Sequence, residues 1–205
     1  SEAARRVARA LGGRTFEYLL GRFTEPNEIF GPIDLRKLRE GSVEVETTGM
    51  LPEAEIAFLD EVFLGSTALL NTLLGVLNER VFRRGHTVRA VPLRVAVGAS
   101  NALPEDESLA AFADRFLLRA FVEPVGDPFL EQLLTEGWGV QGPPPEPGPG
   151  AMAALDTLAA MLRRVDLEAA RPHLAHAVRV MRKAGIVLPD RRVVRTQRLI
   201  AAAAL

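Results

Sequence analysis

The sequence predicts an α/β fold, in which a parallel sheet packs against helices, followed by a smaller part made only of helices. Two observations predict the sheet: residues 55–59 and 93–98 are apolar runs of strand length, and a helical pattern separates them. The helical part is predicted because only helical patterns follow residue 150. With 205 residues, 48% of them hydrophobic, the chain can bury a sizeable core.

The N-terminal part can be assigned element by element. Residues 1–11 are rich in Ala and Arg, which favours a helix, and two glycines follow to end it. Leucines at helical spacing over residues 69–77 predict a second helix, for which Ser66 is a candidate N-cap. Residues 81–94 predict a hairpin that leads into the second buried strand.

One Pro/Gly-rich stretch, residues 139–150, predicts an exposed linker, because its prolines lack backbone donors and its glycines resist ordering. We therefore expect three segments: an α/β core over 1–138, the linker, and a helical subdomain over 151–205. Three helices are expected in the last segment, over 151–165, 172–184 and 190–205.

Composition excludes several classes of function. The absence of cysteine excludes disulfides, thiol catalysis and cysteine metal sites, and it suits a cytoplasmic location. A formal net charge of −1 gives no overall field toward nucleic acid, so a nucleic-acid partner is not expected. No apolar stretch is long enough for a membrane span.

Two neighbouring carboxylates, Asp60 and Glu61, directly follow the first buried strand. Ligands of open α/β sheets bind at the carboxyl ends of the strands, where an aspartate can hold Mg²⁺ and a glutamate can polarise an attacking water. The alternative interpretation is a solvated strand end without a ligand.

Asn101 follows the second buried strand in the same way. An uncharged amide at this edge could orient the same water or contact a γ-phosphate without adding negative charge. The alternative is an asparagine in an ordinary turn.

These motifs, in this order, resemble those of the AAA+ ATPases. The resemblance is closest to the MoxR family and, within it, to the RavA-type regulatory ATPases. It implies a P-loop NTPase core with a C-terminal α-helical lid, and it covers residues 1–123 and the chain from about 179 onward. The segments that carry it are "FGPIDLRKL", "TGMLPEAEIAFLDE", "LLNTLLGVLNERVFRRG", "VGASNALPE" and "FADRFLLR".

The resemblance assigns roles to individual residues. Asp60 and Glu61 match the Walker B pair, which binds Mg²⁺ and activates water, and Asn101 matches sensor 1. Arg115 in "DRF" matches the arginine finger, with Arg119 as a second candidate. On the lid, the arginine of sensor 2 matches Arg191, with Arg192 beside it as the alternative.

The chain contains no Gly-Lys pair, so it lacks the phosphate-binding loop that cradles a nucleotide. In the family, the Ser or Thr that contacts Mg²⁺ ends this loop, and Ser1 occupies that position. The resemblance therefore implies that the chain starts just after the Gly-Lys pair, and that by itself it is inactive and does not bind ATP tightly. The alternative is a natural protein that has lost its loop.

The resemblance implies a Mg²⁺-dependent ATPase that works as a ring, expected to be a hexamer, with the nucleotide between core and lid. Hydrolysis would drive chaperone-like remodelling or assembly of a client protein complex. A protein with a von Willebrand A domain is an expected partner. Two alternatives stay open: a degenerate scaffold that does not hydrolyse ATP, and a DNA-remodelling AAA+ motor.

Overall fold

A computed structural model describes residues 2–104, 106–139, 146 and 148–205. The chain forms two compact units: the first comprises Ser1–Ala102 and Leu118–Gly148, and the second comprises Leu103–Leu117 and Pro149–Leu205. The elements in chain order are α1 (Glu2–Leu11), β1 (Thr15–Leu19), α2 (Pro26–Phe30), α3 (Leu35–Arg39), β2 (Ile56–Asp60), α4 (Thr67–Glu79), β3 (Val81–Arg84), β4 (Thr87–Ala90), β5 (Val95–Gly98), α5 (Glu107–Ala113), α6 (Leu130–Gly139), α7 (Ala151–Leu162), α8 (Ala170–Lys183) and α9 (Asp190–Ala203).

The first unit contains a three-stranded parallel sheet in the order β1-β2-β5. The central strand, β2, is the most deeply buried, because its four apolar residues, Ile56 to Leu59, are all at most 6% exposed. Its last residue, Asp60, pairs with Leu19 of β1, so all three strands end at the same edge of the sheet. The predicted α/β class with a parallel sheet is confirmed.

Helix α4 forms where the leucine spacing predicts it. The Ser66 hydroxyl accepts a hydrogen bond from the amide of Leu69 at 3.3 Å and caps the first turn. Leu69, Leu73 and Val76 on its inner face are fully buried. The predicted hairpin is also present as β3 and β4, which pair antiparallel, and Phe82 of β3 stacks on Phe30 of α2 with ring centroids 5.2 Å apart.

A cavity of about 100 Å³ lies between α1 and the sheet. Its walls include Ala4 and Ala8 on the helix and Ile56 and Phe58 on β2. The cavity follows from the sequence of α1, whose inward positions carry alanines that are too short to fill the space above the strand.

The chain crosses itself tightly at Gly31, which ends α2. Gly31 has φ 104°, and a Cβ placed there would lie 1.8 Å from the carbonyl oxygen of Glu46. Hydrogen bonds on both sides hold this crossing: Glu46 donates to Pro32 at 2.9 Å, and Asp34 donates to Glu44 at 2.8 Å. Only glycine fits here, because both the dihedral angle and the space exclude a side chain.

The second unit is helical, as predicted, and consists of α5 and α7 to α9. Its buried residues include Phe112 at 2%, Val178 at 6% and Ala201 at 1% exposure. Among the residues described, no helix is long and apolar enough to cross a membrane. The boundaries predicted at residues 138 and 151 stay a prediction; residues 103–117 belong to the same unit as the C-terminal helices.

Candidate functional site

The two adjacent carboxylates stand at the carboxyl end of the central strand. Asp60 is the last residue of β2, and Glu61 begins the turn that follows it. The backbone carbonyl of Asp60 accepts a hydrogen bond from the Leu20 amide at 2.9 Å. The side-chain Oδ1 of Asp60 accepts one from the Glu61 amide at 3.0 Å. These bonds fix the backbone and the carboxylate of Asp60, and both acidic side chains remain half-buried.

The backbone at Glu61 adopts an unfavourable conformation. Its φ of 48° lies in the left-handed region, which residues other than glycine seldom occupy. Bonds on either side maintain it: Val62 donates to the Ala99 carbonyl and Leu64 to the Glu61 carbonyl, both at 2.9 Å. Strained backbone of this kind concentrates at functional sites.

Asn101 lies beside Glu61. Its Nδ2 donates a hydrogen bond to Glu61 Oε1, which joins the loop after β5 to the turn after β2. Asn101 itself is exposed. The structure therefore brings together three of the residues that the sequence singles out: Asp60, Glu61 and Asn101.

Arg5 of α1 also lies near this edge, although the sequence analysis does not single it out. Its Nε donates to Glu17 Oε1 at 2.7 Å, and the hydrogen bond and charge of Glu17, with smaller contributions from the charges of Glu2 and then Asp60, raise its pKa. The available signal was its position one turn after Ser1, but a helical arginine is ordinarily solvated. Ser1 itself lies outside the described residues.

The donor set fits a magnesium ion that is shared with a phosphate ligand. Carboxylate oxygens are the ligands that Mg²⁺ prefers, and Mg²⁺ is commonly held by one or two carboxylates plus phosphates and waters. Asp60 supplies such an oxygen. No group of three or more His, Cys, Asp or Glu side chains in the described part of the chain could hold a metal by itself, so the remaining ligands would have to come from elsewhere.

Arg115 lies in the second unit, just after α5. Its Nη1 donates to the Ala111 carbonyl at 3.0 Å, whereas its Nε is buried and has no hydrogen-bond partner within the described part of the chain. Burial lowers the pKa of the Arg115 guanidinium, and the charges of Arg191 and Arg195 lower it further. The charge of Asp114 acts in the opposite direction and raises this pKa, but burial and the two arginines outweigh it.

The two candidates for sensor 2 differ in their surroundings. Arg192 is mostly buried, and its Nη1 forms an ion pair with Asp114 Oδ1 at 3.1 Å. Arg191 is exposed and lies near enough to Arg115 for their charges to interact. Arg119, the second finger candidate, is exposed and belongs to the first unit.

Comparison with known proteins relates the chain to a family. A family profile described as "MoxR domain in the MoxR-vWA-beta-propeller ternary systems" matches residues 1–162. A crystal structure of a candidate ATPase from Cytophaga hutchinsonii is similar in fold, with a TM-score of 0.63 at 13% identity over 90% of this chain and 58% of that one. The fold is therefore that of the P-loop AAA+ ATPases.

The chain is also similar to proteins of known sequence. Two uncharacterized proteins of Methanocaldococcus jannaschii, MJ0812 and MJ0079, are each 46% identical over 123 residues, which is 60% of this chain. Structural protein ORF618 of Acidianus two-tailed virus is 35% identical over 109 residues, or 52% of this chain. The chain spans 33%, 32% and 18% of the length of these three relatives.

Because the profile matches most of the chain, this protein belongs to the MoxR family of AAA+ ATPases. The predicted family is confirmed at this level. A special closeness to the RavA type stays a prediction, and so do the roles of the individual site residues.

Proposed function

We propose that this protein binds ATP with Mg²⁺ and hydrolyses it to ADP and phosphate, with Asp60, Glu61 and Asn101 at the hydrolytic centre. The observation that supports this proposal is their arrangement: two carboxylates at the end of the buried central strand, one of them hydrogen-bonded to an amide from the neighbouring strand. Mg²⁺, when bound, would neutralise charge on the phosphates. The chain's own side chains would hold the ion and orient the water.

Each of the three side chains has a distinct task in this proposal. Asp60 is held by the Glu61 amide and offers carboxylate oxygens to the ion. Glu61 accepts the Asn101 amide through Oε1, which turns its carboxylate into a fixed orientation for accepting a proton from water. Asn101 brings no charge, so it can lie close to a phosphate without repelling it.

The cationic residues of the second unit complete the proposal. Arg115 would act as the arginine finger toward a triphosphate bound by a neighbouring copy, and Arg191 would contact phosphate as sensor 2. Arg115 suits this role because its Nε has no partner among the described residues, and because burial and neighbouring positive charges disfavour its charged form. An anion would relieve both conditions, and such a finger can accelerate hydrolysis by about three to five orders of magnitude.

We further propose that the protein assembles as a hexameric ring in the cytoplasm and remodels a partner protein complex. The profile that matches this chain is described from ternary systems, so a von Willebrand A protein and a β-propeller protein are the proposed partners. Co-purification of the complete gene product with these two proteins, with and without ATP, tests this part. A complex that forms equally well without nucleotide would contradict ATP-driven remodelling.

The hydrolytic role is tested with Glu61→Gln in the complete gene product. Gln keeps the acceptor for Asn101 but cannot take a proton, so we expect kcat to fall by about 100-fold or more while ATP binding is retained. Glu123→Gln, at an exposed position on the same unit, is the matched control and should leave kcat unchanged. Unaltered hydrolysis in Glu61→Gln would remove this residue from the mechanism.

A further inference from the structure

The loop that carries Arg115 is attached to α9 by contacts from two arginine side chains, Arg192 and Arg195. Arg192 Nη2 lies 3.4 Å from the Phe116 carbonyl and 3.5 Å from the Leu117 carbonyl, in addition to the Nη1 contact with Asp114. Arg195, one turn further along α9, reaches the carbonyl of Arg115 itself at 3.4 Å. Four consecutive residues, 114–117, are therefore held by two arginines of one helix.

The physical reason lies in the loop that follows α5. The carbonyl groups of residues 115–117 lie beyond Ala113, the last residue of the helix, so their hydrogen bonds must come from elsewhere, and arginine side chains of α9 supply donors. Arg192 can do so in several directions at once, because its guanidinium presents donors in a planar fork. The Arg192–Asp114 pair is only 17% and 28% exposed, so solvent screens it less than a surface ion pair. Phe112 packs edge-on against Phe116 and stiffens the same turn, with centroids 5.7 Å apart.

The tip of Arg115 contrasts with this fixed base. The backbone of residue 115 is bonded through its own carbonyl. Among the described residues, its guanidinium donates through Nη1 to the Ala111 carbonyl, and its Nε has no partner. The arrangement thus fixes the origin of the side chain and leaves its charged end able to exchange partners. Arg191, the neighbour of Arg192 in the sequence, starts from the same turn of α9.

We propose that Arg192, together with Asp114, is a positioning residue that fastens the Arg115 loop to α9, so that Arg115 and Arg191 move as one body. This inference rests on the proposed function, because it gives Arg115 and Arg191 a common ligand chemistry, the phosphates of ATP. Any shift of α9 would then displace the finger as well, which couples the lid to hydrolysis at the neighbouring copy. Arg192 is accordingly an anchor and not the phosphate ligand.

The first test follows the loop itself in the 205-residue chain by amide hydrogen exchange. Arg192→Ala should raise exchange over residues 114–117 by about tenfold or more, because the opening of this segment loses its main restraint, while residues 56–60 stay unchanged. Arg192→Lys keeps the charge opposite Asp114 but loses the fork, and should give an intermediate increase. Arg179→Ala, at an exposed position on α8, is the matched control. Unchanged exchange in Arg192→Ala overturns the anchor.

The second test asks whether Arg192 acts through Arg115, in the complete gene product. Arg192→Ala should lower kcat by about tenfold with little change in KM for ATP, because it displaces the finger without touching the phosphates. In an Arg115→Ala background, Arg192→Ala should lower kcat very little further, since the effects of coupled residues are not additive. An equal loss in both backgrounds overturns the positioning role.

A third variant guards against misfolding. Asp114→Asn preserves the shape of the side chain and removes only its charge. It should therefore raise amide exchange over residues 114–117 and lower kcat, each by less than Arg192→Ala does. If the wild-type complete gene product hydrolyses no ATP, the proposed function fails, while the exchange experiment still decides whether α9 anchors the loop. The two failures are therefore distinguishable.

Discussion

The conformation of Glu61 leads to a quantitative prediction about stability. Its φ of 48° costs a residue with a Cβ about 1–2 kcal/mol, and glycine does not bear this cost. Glycine loses more backbone entropy on folding, which offsets about 0.4–1 kcal/mol of the gain. We therefore expect Glu61→Gly to be more stable than Glu61→Ala by about 0.5–1 kcal/mol.

The comparison of glycine with alanine isolates the backbone. Both variants lose the carboxylate and its bond to Asn101, so this loss cancels in the difference. Asn71, which is exposed within α4, is the matched control because its backbone is helical. At this position the alanine variant should be more stable than the glycine variant, by about 1 kcal/mol. Arg80, whose φ is 55°, should show the same sign as Glu61.

The measurement is urea unfolding of the four variants at positions 61 and 71, followed by circular dichroism and extrapolated to zero denaturant. If Glu61→Gly is no more stable than Glu61→Ala while the Asn71 pair behaves normally, the turn at residue 61 is not strained. The link that we draw between backbone strain and the hydrolytic centre would then be wrong.

Two further predictions concern the rest of the first unit. Ala4→Leu should fill part of the cavity under α1 and raise the free energy of unfolding by about 1 kcal/mol, as measured by urea unfolding; an equal effect of Ala3→Leu, which is exposed on the same helix, would contradict it. The Tyr18 hydroxyl, with a smaller contribution from the Glu25 amide, lowers the pKa of Glu28 below its ordinary 4.5. The stabilisation by this carboxylate is therefore present above about pH 4.5 and lost as pH falls through the lower folded value, so Glu28→Gln should flatten the acid side of the stability profile; an unchanged profile would refute the assignment.

The elements that the sequence predicts well are those with strong local signals. β2 and β5 are continuous apolar runs, and α4 combines leucine spacing with a capping serine. These three elements can therefore be predicted without knowledge of the tertiary structure. β1 gives a weak signal because it is short and its apolar pattern is broken: Phe16 is buried, but Leu19, which is also apolar, is 65% exposed and directly follows Tyr18.

The candidate site was predictable to a similar extent. Asp60, Glu61 and Asn101 could be placed together because parallel strands end at a common edge. The choice between Arg191 and Arg192 could not be made, since adjacent helical residues point about 100° apart and which one is buried depends on Asp114, far away in the sequence. The strain at Glu61 was also hidden, because no residue type in the motif announces a positive φ.

The close approach of two chain segments at Gly31 predicts which position of this region related sequences share. A Cβ would have to occupy the place of the Glu46 oxygen 1.8 Å away, so any substitution demands that two chain segments separate. Relatives that vary freely in length and composition around this segment should still share a glycine at the equivalent position. Where an alignment sets another amino acid opposite Gly31, we therefore expect an error of register at this position.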